Sequence, residues 1–451
     1  MLGISLVIIH FLFFFSKNKK NKKICLLIFF FFVSNGFQII PSEFISFGLP
    51  MISKTYDFSL IIIILIHIIK FKRILSSKEK FKQIKSINYL ITFSIICSLY
   101  SIAVLDYEAI DVLRVLRPYL LFFSLSYFYL FTKEDLLYTI KSITIITIFI
   151  SILYLLQIPT NTILIGSPSG DVNTNLLTGT SWIRYYNTPM FLIISFILVV
   201  FQVNFINKKV RYLSIIILGL SIIAPAHRSM LILTFGIIIV YYISKTNFRN
   251  KIISGIALFC AILYLSNVDI FLKTASRTYQ NLNVFESSKY KQQDEMNTFS
   301  YRLAHFIERA QFVSKEPLES IFGLGFITEN STSANKLHFN VGLLDVKTNK
   351  ITQIDTGDVV WSLLILQGGW MIIFLNILVV YTLYSFFNKH SISKIAESAK
   401  IYLLIVITLS FFSTELINVG FRCIILLILA YVKLSIYDEK KTKTIQFSLK
   451  K

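Results

Sequence analysis

Apolar runs of membrane-spanning length recur along this chain of 451 residues. Five of the clearest carry few or no charged residues: 24–33, 59–69, 143–156, 190–203 and 403–412. With their flanks, several reach the roughly 18 residues that a helix needs to cross about 30 Å of hydrocarbon. A buried core helix would explain one such run, but not about a dozen of them. The sequence therefore predicts an all-α polytopic membrane protein with about 12 to 13 transmembrane helices, residues 115–131 and 252–265 among the predicted spans.

Basic residues divide the predicted loops between the two sides of the membrane. In a soluble protein the net charge of +21 would suggest a nucleic-acid partner, but its distribution along the chain argues against one. If the spans alternate, one side holds 29 Lys and Arg against 6 Asp and Glu, in the segments 17–23, 70–85, 132–141, 207–212, 244–251, 386–400 and 433–451. Such an excess predicts the cytoplasmic side, with the N-terminus outside and the C-terminal tail inside.

One long polar segment, residues 266–358, interrupts the apolar pattern. It separates about ten spans in residues 1–265 from three spans and a tail in residues 359–451. The alternation of the loops predicts that it lies outside the cytoplasm. Within it, residues 301–314 have the 3.6-residue period of an amphipathic helix. A segment with one clear helix buries only a small core, so we expect it to fold against the membrane domain.

Three arginines are predicted to meet at the outer membrane boundary: Arg184, Arg228 and Arg302. An arginine near hydrocarbon is costly and usually has a partner, and guanidinium groups bind phosphate oxygens in pairs. Arg228 begins a predicted helix, where its charge gains nothing from the helix dipole, and this favours an anion site. The alternative is snorkelling or an ion pair with a nearby acid. Arg422 with Glu415 is expected to be such a structural pair, although both could line a cavity.

Acidic side chains at the same boundary are candidates for proton transfer. Asp358 enters a predicted span, either as a helix cap or as a general base that takes a proton from a sugar hydroxyl. Asp355 is a second candidate base. His305 and Arg309 lie on the predicted helix of residues 301–314 and are secondary candidates, although a lone histidine is more often a packing residue.

Motifs for several other chemistries are absent from the sequence. There is no Gly-rich P-loop of an ATPase, and no His-Glu-x-x-His or cysteine pair of a zinc site. No Asp-x-Asp supports a nucleotide-sugar metal site. The four cysteines fall in or beside apolar runs, where small core residues are expected. We therefore expect no metal and no cofactor.

Four short motifs follow one another along roughly residues 180–385. They are Arg-Tyr-Tyr-Asn-Thr-Pro at 184–189, His-Arg-Ser-Met-Leu at 227–231, Tyr-Arg at 301–302 followed by a helix and Phe-Gly-Leu-Gly at 322–325, and Asp358 ten residues before Gly368. Their order and common side resemble the bacterial O-antigen polymerase and O-antigen ligase superfamily. Its members are polytopic membrane glycosyltransferases with one large periplasmic loop before the last few helices. Ligases commonly carry His where this chain has Asp358, so the resemblance favours a polymerase-like member.

The resemblance implies an inverting, metal-independent glycosyltransferase at the periplasmic face of a bacterial inner membrane. A glycan would pass from undecaprenyl diphosphate to the end sugar of another lipid-linked unit of O-antigen, capsule or exopolysaccharide. Arg184, Arg228 and Arg302 would hold the diphosphate, and Asp358 would deprotonate the acceptor hydroxyl. The implied partners are the undecaprenyl-diphosphate-linked oligosaccharide, membrane lipid, and a chain-length regulator and flippase of the same pathway.

Three alternatives remain on the sequence alone. A ligase, or a polymerase for another polysaccharide, would share the four motifs. A polysaccharide flippase would carry charged residues deep within several spans, where this chain has few ionisable groups, His67 among them. A membrane sensor that uses the long polar segment as a binding module would tolerate conservative changes of the boundary arginines.

Overall fold

The computed structural model describes residues 2–46, 52, 54–76, 84–167, 174–176, 183–201, 207–225, 227–245, 298–345, 350–354 and 359–448. Within these ranges the chain is mostly α-helical, with two short antiparallel ribbons that the sequence did not predict. Asp355, Asp358 and the predicted span at 252–265 lie outside the described residues.

The described residues up to Thr160 form eight α-helices: α1 (Leu2–Phe15), α2 (Lys19–Val33), α3 (Ser42–Ser46), α4 (Tyr56–Ser76), α5 (Lys85–Ala103), α6 (Ala109–Leu120), α7 (Ser124–Phe128) and α8 (Lys133–Thr160). Local sequence explains several of their ends. The Thr132 hydroxyl accepts from the Asp135 backbone at 3.2 Å, and the Asp135 carboxylate accepts from the Thr132 backbone at 3.3 Å. This capping box satisfies donors that would otherwise be left unpaired at the start of α8.

The rest of the described chain contributes α9 (Leu192–Phe201), α10 (Lys208–Ile223), α11 (Arg228–Lys245), α12 (Thr298–Val313), α13 (Pro317–Phe322), α14 (Val360–Lys389), α15 (Lys394–Leu409) and α16 (Val419–Ser448). One ribbon pairs β1 (Thr174–Leu176) with β2 (Ile183–Tyr185), and the other pairs β3 (Leu344–Asp345) with β4 (Lys350–Ile351). The helix expected over residues 301–314 therefore begins three residues earlier, at Thr298.

Four helices are long and apolar enough to cross a membrane: Lys85–Ala103, Lys133–Thr160, Val360–Lys389 and Val419–Glu439. Shorter apolar helices accompany them. These features agree with a helical membrane protein, while the number of spans stays a prediction. One predicted span, residues 115–131, is not a continuous helix, because a 3-10 turn at Leu121–Phe123 separates α6 from α7.

Helix α2 lies in the interior of the bundle, where it contacts α1, α4, α8 and α16. Its side chains Leu26, Phe29 and Phe30 are fully buried. The Phe29 ring stacks on Tyr127 of α7 with centroids 5.2 Å apart. Between helices in hydrocarbon, close van der Waals packing of such rings is the stabilising force, so this cluster anchors the N-terminal helices to the rest of the bundle.

The loops separate into two ends of the bundle. At one end, residues 34–46, 161–167, 183–191 and 410–418 lie together, and we call this the cavity end. At the opposite end, Lys133 lies 3.5 Å from Asp438 and is partly exposed with it. The loop that carries Arg184 therefore lies at the cavity end.

The polar segment packs against the membrane helices through a glycine contact. Helix α14 breaks at Gly368 and Gly369, whose backbone angles are not helical. The Leu324 amide of the Gly-Leu-Gly turn donates to the Leu366 carbonyl at 2.6 Å, beside this break. Phe322 stacks on Tyr100 of α5 at 4.8 Å. The described part of the segment is thus attached to the ends of α5 and α14.

Candidate functional site

Two adjoining cavities open at the cavity end. The smaller has a volume of about 170 Å³ and the larger about 510 Å³. Four residues line both: Tyr186, Thr188, Met190 and Asn418. An engineered protein cavity of about 150 Å³ takes up benzene, so the smaller space admits one ring-sized group and the larger admits several.

The two cavities differ in chemistry. Hydroxyl and amide side chains dominate the polar lining of the larger one: Asn35, Ser42, Thr55, Ser167, Thr188, Thr414 and Asn418. Its one charged lining residue among those described is Lys54. Hydroxyls and amides both donate and accept hydrogen bonds, as sugar hydroxyls do. The smaller cavity is more apolar, with Ser413, Glu415 and His227 on its wall.

Gln38 and Asn187 hold the walls of the cavities in place. The Gln38 amide donates to the carbonyls of Gly166 and Thr188, at 3.0 and 3.1 Å, and accepts from the Met190 amide at 2.7 Å. Asn187 is fully buried and donates to the Ile165 carbonyl. The asparagine of the Arg-Tyr-Tyr-Asn-Thr-Pro motif therefore fixes the loop conformation.

Arg184 and Arg302 come to the same region from elements far apart in sequence. The Arg184 guanidinium lies 5.5 Å from the ring centroid of Tyr186, which lines both cavities. The Arg302 guanidinium, on α12, lies 5.5 Å from the Phe412 ring, next to Ser413 of the smaller cavity. Stacking on an aromatic ring orients the plane of a guanidinium. Both side chains are half-buried.

Arg228 is the first residue of α11. Its chain neighbour His227 lines the smaller cavity, and so does Met230 one turn later. The Ser229 hydroxyl lies 3.0 Å from His227 Nδ1. The helix N-terminus singled out by the sequence is thus at the wall of the smaller cavity.

Arg309 and His305 lie in the interior of the polar segment and line neither cavity. Arg309 is 0% exposed and donates to Glu308 at 2.9 Å and to the Gln353 carbonyl at 3.2 Å. His305 is equally buried, and burial lowers its pKa to about 3, so its ring is neutral. The side chains chosen as secondary site candidates therefore hold the segment together, because their helix turns them inwards.

Glu415 and Arg422 do not form the expected ion pair. Among the described residues no ion pair joins them, since the Arg422 guanidinium lies over the rings of Tyr119, at 4.6 Å, and Phe122, at 5.2 Å. Glu415 instead accepts hydrogen bonds from Asn418 Nδ2 at 3.3 Å and the Tyr402 hydroxyl at 3.4 Å, and it lines the smaller cavity. The alternative that Glu415 lines a cavity therefore holds.

The protonation of Glu415 follows from its surroundings. It lies in the turn between α15 and α16, outside both helices. Burial raises the pKa of this carboxyl to about 7, and the hydrogen bonds from Asn418 and Tyr402 partly offset the effect. Sequence reasoning set this residue aside as a structural pair. Its place in a polar turn between two spans was the signal that could have identified it.

In the described part of the chain, no three His, Cys, Asp or Glu side chains lie close enough together to hold a metal ion. Comparison with protein-family models gives no match, and comparison with curated proteins gives none either.

Proposed function

We propose that this chain joins lipid-linked oligosaccharides, by transferring a glycan from undecaprenyl diphosphate to the end sugar of another lipid-linked unit. Its product would be O-antigen, capsule or exopolysaccharide. One observation carries the proposal: two adjoining cavities open at one end of a helical membrane bundle. Arg184 lies over Tyr186, which lines both, and Arg302 lies over Phe412, the chain neighbour of a residue that lines the smaller one. A reaction between two lipid-linked substrates needs one space for the donor and an adjoining space for the acceptor.

In this proposal Arg184, Arg228 and Arg302 bind the diphosphate of the donor. A guanidinium group stays charged at all physiological pH values and presents paired donors to phosphate oxygens. As the bond between the sugar and the diphosphate breaks, negative charge grows on the leaving oxygen, and nearby arginines stabilise it. Asp358 is the base that the sequence proposes for the acceptor hydroxyl. Neither metal nor nucleotide has a part in this mechanism.

The basic loops support a periplasmic position for the cavity end in a bacterial inner membrane, with the C-terminal tail in the cytoplasm. The proposed substrates are undecaprenyl-diphosphate-linked oligosaccharides within membrane lipid. A flippase and a chain-length regulator of the same pathway are the proposed partners.

The test uses the saccharide lipids that accumulate when the gene is deleted. These lipids are extracted and added to the purified full chain in lipid nanodiscs, and the products are separated by size. We expect a ladder of lengthened saccharides, absent when Arg228→Ala and Arg302→Ala are combined. The absence of any ladder with the wild-type chain would overturn the proposal. A flippase would move the lipid across a vesicle membrane without lengthening it, and a ligase would lengthen only a different lipid acceptor.

A further inference from the structure

Glu415 holds a distinctive position among the residues around the two cavities. Of the described lining residues, it is the single carboxylate. It follows Thr414, which lines the larger cavity, and precedes Asn418, which lines both. The turn that carries it therefore separates the two spaces, and an atom near Glu415 in the smaller cavity lies close to the boundary with the larger one.

The interactions of Glu415 leave part of its hydrogen-bonding capacity unused. An ionised carboxylate has about four acceptor positions. In the described structure Glu415 has two donors, Asn418 and Tyr402, at the long distances of 3.3 and 3.4 Å. No described cation forms an ion pair with it. A half-buried carboxylate without a counter-ion is costly, and such groups concentrate at functional sites.

We infer that Glu415 is the general base of the transfer reaction, and that the acceptor sugar occupies the smaller cavity with its reacting hydroxyl at the Glu415 carboxylate. This inference rests on the proposed function. Glu415 takes the place of Asp358, which lies outside the described residues, as the base of that reaction, and the arginines keep their role at the leaving group.

In the transfer step the acceptor O–H bond breaks, and its proton goes to a Glu415 carboxylate oxygen. The acceptor oxygen forms a bond to the anomeric carbon of the donor sugar, while the bond from that carbon to the diphosphate oxygen breaks. The electron pair of the broken bond stays on the diphosphate, beside Arg184 and Arg302. Glu415 then returns its proton to water and is ready for another cycle.

The protonation of Glu415 suits this role. A general base works best when its pKa lies near the operating pH, and burial brings the pKa of this carboxyl to about 7. The other titratable groups around it are the phenols of Tyr402 and Tyr186 and the imidazole of His227. Phenols ionise far above this range, but a histidine also titrates near pH 6.5, so the test must separate His227 from Glu415.

The experiment measures the initial rate of saccharide lengthening across pH, with the full chain in nanodiscs and the lipids extracted from the deletion strain. The wild-type rate is expected to rise with pH through about 7, because the base must be ionised. Glu415→Gln should lower the rate by about 100-fold or more at every pH, the usual contribution of a general base. Glu415→Asp should retain a measurable rate with a shifted midpoint. His227→Gln should leave the midpoint of the rise unchanged.

Glu43→Gln is the matched control, since Glu43 is an exposed carboxylate of α3 that lines neither cavity, and it should behave like the wild type. A Glu415→Gln chain that lengthens saccharides as fast as the wild type would overturn the inference and leave the proposed function intact. A wild-type chain that makes no ladder would overturn both. Labelling of the wild type by a hydrophobic carbodiimide gives a readout without turnover: it should modify Glu415 at about pH 6 and much less at about pH 9. Equal labelling at both would count against the inference even if Glu415→Gln failed to fold.

Discussion

Gly323 and Gly369 lie at the junction of the polar segment and helix α14, each against the backbone of the other segment. A Cβ atom at Gly323 would lie 2.8 Å from the Gly369 nitrogen, and a Cβ atom at Gly369 would lie 2.7 Å from the carbonyl carbon of Ile321. Their φ angles are +64° and +61°, in the region that glycine alone adopts readily. A Cβ atom at Gly323 would also lie 2.8 Å from the nitrogen of Gly368, the glycine of the fourth sequence motif, so Phe-Gly-Leu-Gly at 322–325 and that glycine belong to one contact.

Gly369→Ala should detach the polar segment from α14. At φ +61° and ψ −159° the backbone is in a region essentially restricted to glycine, which costs an alanine about 1 to 3 kcal/mol, and the contact with Ile321 adds to that because backbone must move. We expect a lower midpoint of thermal unfolding and faster proteolysis between α12 and α14. The control is Gly236→Ala in α11, where a Cβ meets nothing within 4 Å and should be neutral or stabilising. A Gly369→Ala chain as resistant as the wild type would contradict this.

Arg302→Lys should shorten the polysaccharide almost as much as Arg302→Ala. A lysine keeps the charge but lacks the planar group that stacks at 5.5 Å on Phe412 and binds phosphate with paired donors. We expect both proteins to remain in the membrane at normal levels, with chain length read from a gel ladder. Arg114→Ala is the control, because Arg114 pairs with Asp111 at a partly exposed position, where an ion pair contributes little. A full ladder from Arg302→Lys would show that charge alone suffices.

Arg309→Met should destabilise the polar segment. The change leaves the Gln353 carbonyl without its donor and removes one donor from Glu308, which keeps two backbone amide donors, for a loss of about 1 to 3 kcal/mol. Thermal unfolding of the purified chain measures this, and Lys315→Met, an exposed position of the same segment, is the control. If Arg309→Met unfolds at the wild-type temperature but loses activity, Arg309 contacts substrate instead.

The free energy of unfolding should decrease as pH rises, because the Glu415 carboxyl loses its proton more readily in the unfolded chain. The folded-state pKa of its carboxyl is raised from 4.5 to about 7, so between these values the unfolded chain loses a proton that the folded chain keeps. The unfolded state then binds fewer protons, and the free energy of unfolding decreases with pH. Glu415→Gln should therefore unfold at the wild-type temperature near pH 4.5 and at a higher temperature above about pH 7. An equal difference at both pH values would mean that Glu415 ionises normally in the folded chain.

Single cysteines test the orientation of the two ends. Asn340 is exposed in the polar segment, and Ile392 is 99% exposed in the turn between α14 and α15 at the opposite end. In intact cells stripped of their outer membrane, a membrane-impermeant maleimide should label Asn340→Cys and leave Ile392→Cys unlabelled until the cells are lysed. The described native cysteines are buried, so their background should be low. The reverse pattern would invert the topology.

The class of fold could be predicted from the sequence, and so could the end of the bundle that carries the candidate site. Apolar runs and the distribution of Lys and Arg are local properties of the sequence, because the membrane, more than the neighbouring helices, sets the requirements on each span. Arg184 could be selected in the same way, from its position just before an apolar run, and Arg302 from its place on the amphipathic helix of the polar segment. The number of spans and the role of Asp358 stay predictions.

Partners of individual side chains were decided by tertiary structure. Gln38 meets the Thr188 carbonyl 150 positions away, and no local pattern indicates such a contact. Arg309 turns inwards while Arg302, two turns earlier on the same helix, faces Phe412, and only the rotation of α12 distinguishes them. Glu415 and Arg422 are close in sequence, yet the start of α16 directs Arg422 towards Tyr119 and leaves Glu415 at the cavity. The sequence by itself determined the apolar, helical character of the bundle, because that depends on hydropathy, while packing decided which polar side chains line a cavity.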